Sequence, residues 1–115
     1  MSTPFTPVLD ALTRQRGVRA SLVVSAADGI TIDSNLQIGQ DGNRVAALAA
    51  SLYRKARKAA QAAGFGATGF MQLEAEEGRL CAIGGEEIVL VVVAEHSANV
   101  GLIRVEMLRA AESLA

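Results

Sequence analysis

The sequence predicts an α+β domain built on a single five-stranded antiparallel sheet of spatial order 2-1-5-4-3, with one long helix on one face and two helices on the other. Three observations predict it. Asp28-Gly29 lies between two β-rich runs and is a hairpin signal that pairs the first two strands. Glu76-Glu77-Gly78 and Gly84-Gly85 are tight turns that string three more strands into a meander. The last of those strands, Ile88 to Ala94, is apolar throughout, the mark of a strand buried on both faces, so it takes the centre beside strand one.

The chain opens with a short helix. Thr3-Pro4 or Thr6-Pro7 supplies an N-cap with proline in the first turn, and Phe5, Val8, Leu9 and Leu12 follow at helical spacing until Gly17. Val18 to Ala27 is the first strand, and the alternating Ile30-Thr31-Ile32-Asp33-Ser34 is its return. Asn35 to Asn43 reads as a polar loop, with Asp41 or Asn43 capping a long helix that runs to about Ala63 and stops at Gly64. On that helix Val45, Leu48, Ala49, Leu52, Ala56, Ala59, Ala60 and Ala63 make an apolar face, expected to be buried. Ala47, Ala50, Arg54, Lys58 and Gln61 make the opposite one. Strands at Thr68 to Ala75, Arg79 to Ile83 and Ile88 to Ala94 complete the sheet. Ser97 or Asn99 caps a final helix from Val100 to about Leu114, whose apolar positions spread beyond one stripe.

Composition narrows the function. The 115 residues make one domain, 1–115, with half of them apolar and a formal charge of -1, which excludes disorder and a wholesale polyanion binder. A single cysteine cannot form an internal disulfide. Met1 to Pro7 lacks the basic and apolar regions of a secretory leader, and no run approaches a membrane span, so a cytoplasmic protein without membrane insertion is expected.

No catalytic or metal-binding set converges, and no cofactor is expected. Gly64-Phe65-Gly66-Ala67-Thr68-Gly69 matches G-x-G-x-x-G, but it follows a helix and precedes a strand, the reverse of what a dinucleotide site needs. His96 stands alone beside Glu95 and Ser97, and Cys81 sits mid-strand as a small hydrophobe. The charges are more informative. From Gly42 to Leu73 there is no acidic residue, while Arg44, Arg54, Lys55, Arg57 and Lys58 all lie on the long helix. Either this is an ordinary solvated face or, with Ala47 and Ala50 as a shallow apolar strip, a docking surface for an acidic partner. Nucleic acid is not expected as a partner, because only Tyr53 could stack on a base. Strand three carries no charge before Glu74, an edge that invites pairing, so Phe70, Met71, Gln72 and Leu73 are the expected seam of a homodimer.

Leu9-Asp10-Ala11-Leu12 leading into Gly17-Val18-Arg19-Ala20-Ser21-Leu22-Val23-Val24, then Asp28-Gly29-Ile30, and Ser97 to Arg104 opening the last helix, resemble the Roadblock family of dynein light-chain relatives. The resemblance spans nearly the whole chain. It implies a profilin-like fold and a homodimeric module, without an active site of its own, that binds and regulates a Ras-like small GTPase. Arg44, Ala47, Ala50, Arg54, Arg57 and Lys58 are the expected partner-binding residues. A scaffold subunit without effect on turnover is the alternative, and a small-ligand sensor is disfavoured by the few aromatic residues.

Overall fold

The computed structural model describes residues 3–36 and 41–114. The elements are α1 (Thr6–Thr13), β1 (Val18–Ser25), β2 (Thr31–Leu36), α2 (Gly42–Ala62), β3 (Met71–Ala75), β4 (Gly78–Gly84), β5 (Ile88–Ala94) and α3 (Val100–Leu114). All five strands form one antiparallel sheet in the order β2-β1-β5-β4-β3, as the turn signals and the doubly buried run predict. Part of the predicted loop at Asn35 to Asn43 lies outside the described residues.

The two sheet faces carry separate cores. On one, α1 and α3 bury Leu9, Leu12, Ile103 and Met107 against Val23, Cys81, Leu90 and Val92. On the other, α2 lays Ala46, Ala49, Ala50 and Tyr53 over Ala20, Leu22, Val24, Val89 and Val91. Because its underside is almost wholly alanine, α2 packs close to the strands without large side chains between them. Burial also pushes the Cys81 thiol up, against a smaller pull from Arg79, as suits a structural cysteine.

Several local details depart from the sequence reading. Asp28-Gly29 does not close a two-residue hairpin. The Gly29 N–H donates to the Ser25 carbonyl at 2.9 Å and the Ser25 N–H to the Ile30 carbonyl at 2.9 Å, leaving a four-residue turn in which Gly29 takes a φ of +73°. Neither threonine caps α1 with its side chain: the N-cap is Phe5, and Pro7 falls in the first turn. β3 begins at Met71 and not Thr68, and Gly84 belongs to β4, paired with Val89. A Cβ at Gly84 would collide with the Ile88 carbonyl, so the strand needs glycine there.

The caps of α2 and α3 fall within the predicted choices. The Asp41 side chain accepts from the Arg44 N–H, and Asn99 Oδ1 accepts from the Leu102 N–H at 3.1 Å. At the far end of α2, Phe65 N–H reaches the Ala60 carbonyl and Gly64 N–H the Gln61 carbonyl, with Gly64 at φ +79°, a Schellman stop.

The Asp33 carboxylate ties the N-terminal segment to β2, accepting from the Thr3 and Thr6 hydroxyls and from the Ser34 N–H. Chiefly through Thr3, these donors outweigh partial desolvation and hold the group below the usual carboxylate range. A depressed folded pKa stabilises the fold above the unfolded value of 3.8 and is lost as pH falls through the folded one. Acid titration below about pH 4 is therefore expected to loosen α1 in the native chain, and an Asp33→Asn variant should show a flatter melting-temperature profile over that range.

Candidate partner-docking surface

The underside of α2 is not the stripe that periodicity selects. Gly42, Ala46, Ala49, Ala50 and Tyr53 face the sheet, whereas Leu48 is 62 % exposed and Leu52 is also exposed. Three anchors set this rotation. The Tyr53 hydroxyl accepts from the Gly84 N–H at 3.1 Å and lies 3.0 Å from the Gly84 carbonyl. Arg54 Nη1 donates to the Ala26 and Ala27 carbonyls, and Arg57 Nη1 to the Gly85 carbonyl at 3.1 Å. Each contact ties α2 to the end of the sheet that carries the β1–β2 and β4–β5 loops. The helix is therefore rolled toward those loops, and its leucine flank is turned away.

This rotation removes Ala50 from the expected docking residues and changes what the others offer. Ala50 is fully buried between helix and sheet, so it cannot contribute an apolar strip to a partner. Ala47 is exposed at the β1–β2 turn; its Cα would lie 2.9 Å from a Cβ at Gly29, so the turn rests directly on it. Arg54 and Arg57 are half-buried and committed to loop carbonyls. The cations left on the outward surface of α2 are Arg44, Lys55 and Lys58, all exposed and without an ion pair among the described residues. Tyr53 is buried and cannot stack on a base.

The seam residues divide by face. Met71 pairs with Ala82 and Leu73 with Leu80, on the α2 side of the sheet. Leu80 and Val93 continue that surface, all four are only partly covered, and Leu73 is 45 % exposed. Phe70 and Gln72 belong to the opposite side, where Phe70 packs on the α3 core under Arg104. Ala75 and Gly78 flank a two-residue turn and so form a hydrogen-bonded pair. By alternation Met71 and Leu73 bond to β4, while Gln72 and Glu74 turn their N–H and C=O groups to the free edge.

The G-x-G-x-x-G segment is the connector from α2 to β3, with Gly66 at φ +81° and Phe65 80 % exposed. His96 is an exposed loop residue following β5. No group of ligating side chains gathers among the described residues, and none of their helices is long and apolar enough to cross a membrane.

Residues 5–94, from the start of α1 to the end of β5, match the Roadblock/LC7 domain. The chain belongs to the Roadblock/LC7 family. A Methanocaldococcus jannaschii relative of uncharacterised function, MJ1340, is 35 % identical over 107 residues, 93 % of each chain. MglB of Myxococcus xanthus superposes with a TM-score of 0.86 at 24 % identity, covering 97 % of this chain and 92 % of that one. Profilin II of Acanthamoeba castellanii is a remoter fold neighbour, with a TM-score of 0.53, 16 % identity and 85 % of each chain covered. Within this Roadblock/LC7 domain, one flank of α2 is apolar and open, its top is cationic, and the β3 edge is free. Sequence periodicity found the open flank but assigned it to the core. The signal that separates the two readings is Tyr53, whose hydroxyl needs a buried partner and fixes the roll of the helix.

Proposed function

We propose that this Roadblock/LC7 domain is a homodimeric docking module that binds and regulates a Ras-like small GTPase. The observation that carries the reading is exposed apolar surface on the α2 side of the sheet, with Leu48 and Leu52 open on the helix flank, Val45 and Leu80 only partly covered, and Leu73 open on the free β3 edge. A single protomer leaves this surface wet. A second copy pairing along β3 covers it by bringing the two α2 helices together flank to flank. The outward surface of the pair then carries Arg44, Lys55 and Lys58 twice, a cationic platform suited to an acidic protein face. The Roadblock family includes bacterial partners of Ras-like GTPases, which makes such a GTPase the candidate occupant.

The state of the arginines favours one regulatory route. Arg54 and Arg57 already donate to loop carbonyls and stand on a helix side, not on a probing loop. Docking that selects the GTPase's own catalytic arrangement therefore fits better than an inserted arginine. An Arg44→Glu, Lys58→Glu double variant is expected to stay dimeric and to lose GTPase capture in a pull-down, with binding of the native chain weakening as salt rises. Hydrolysis at saturating native chain separates regulator from scaffold: an unchanged rate means a scaffold. Loss of stimulation in a single Arg→Ala variant that still binds would mean an arginine finger.

A further inference from the structure

We infer that Arg104 on α3 reaches across the dimer seam to form an ion pair with the partner's Glu76. The inference rests on the β3-paired dimer proposed above and assigns a charge contact to it.

Two symmetry arguments place these residues together. A two-fold axis normal to the sheet keeps both α2 helices on one face, so directly opposed residues share a face and their numbers sum to an even value. Full overlap of the five-residue β3 then centres on Leu73 and sets Met71 against the partner's Ala75. The same register sets Gln72 against the partner's Glu74, so the outward N–H and C=O groups of each meet those of the other. One step beyond the strand, Phe70 faces the partner's Glu76 on the α3 side of the sheet.

Arg104 stands at that place. Its guanidinium carbon lies 5.1 Å from the centroid of the Phe70 ring, and no carboxylate among the described residues is within ion-pair distance of it. Stacking holds the cation over the residue that borders the seam while leaving its five N–H donors free. Glu76 is exposed in the β3–β4 turn and likewise has no cation partner among the described residues, since Arg79 is taken by Glu74 at 3.6 Å. A cation and a carboxylate, each unpaired in the protomer, thus converge when two copies join, and symmetry makes the contact twice.

Charge-swap mixing tests this. Arg104→Glu and Glu76→Arg chains, each measured alone by sedimentation equilibrium, are expected to dissociate about ten- to a hundredfold more readily than the native chain, because two attractions become two repulsions. An equimolar mixture of the two variants should dimerise with near-native affinity, since both contacts of the mixed dimer again join unlike charges. That rescue also shows both variants to be folded. Native dimers together with unweakened variants, or weakened variants that mixing does not rescue, overturn the ion pair and leave the seam standing. A native chain that stays monomeric overturns the seam itself.

Discussion

The Gln72→Pro variant is expected to remain folded and to lose its dimer. Gln72 turns its N–H to the free edge, while the hydrogen bonds that hold β3 to β4 come from its neighbours Met71 and Leu73. Proline at 72 therefore removes a donor the protomer does not use internally. In the dimer it removes two, by symmetry, and leaves the opposing carbonyls without partners at about 1–3 kcal/mol each. The sum, about 2–6 kcal/mol, corresponds to at least a roughly thirtyfold rise in the dissociation constant. Light scattering across a concentration series reads the dimer, and circular dichroism the fold. Met71→Pro is the informative control: it strikes a bond to β4 and should cost protomer stability as well. A folded, undiminished Gln72→Pro dimer would rule out pairing through β3.

The largest effect on stability is expected at Tyr53. Its ring fills the space between α2 and the sheet at 1 % exposure, and its hydroxyl is the hydrogen-bond partner of the Gly84 backbone. Tyr53→Phe keeps the ring but orphans the Gly84 N–H, for a loss of about 1–3 kcal/mol. Tyr53→Ala adds an emptied aromatic site beneath an alanine-lined helix that has no larger side chain to collapse into it, for a loss of about 3–5 kcal/mol. Urea titration of the three chains should rank them in that order. Equal losses in the two variants would mean that the ring contributes nothing beyond its hydroxyl.

Much of the fold was legible because turns and burial write themselves into local sequence. The unbroken apolar run at Ile88 to Ala94 placed the central strand, and Asp41, Asn99 and Gly64 marked helix ends by mechanisms that act within a few residues. The roll of α2 was not legible. Leu48 and Leu52 share a stripe with Val45 and Ala56, and periodicity registers that such a stripe wants covering without saying which chain covers it. The buried set, Ala46, Ala49, Ala50 and Tyr53, is small in volume and weak as a hydrophobic signal. It is selected by long-range contacts to Gly84, Gly85 and the β1–β2 turn. The loop contacts of Arg54 and Arg57 were hidden for the same reason: a cation bound to a carbonyl some thirty residues away looks, in sequence, like any surface charge.

The alanine layer beneath α2 also governs how this helix tolerates mutation. At Ala46 and Ala50 the methyl group already fills the gap to the strands, so any larger residue must lift the helix and shift the cations it carries. At Ala62, exposed on the outward side in one stripe with Lys55, there is no such limit. One helix therefore bears the same amino acid on two sides with opposite freedom. A lineage of such proteins can rewrite its outward stripe to suit a new partner without disturbing the platform, provided the inward alanines stay small.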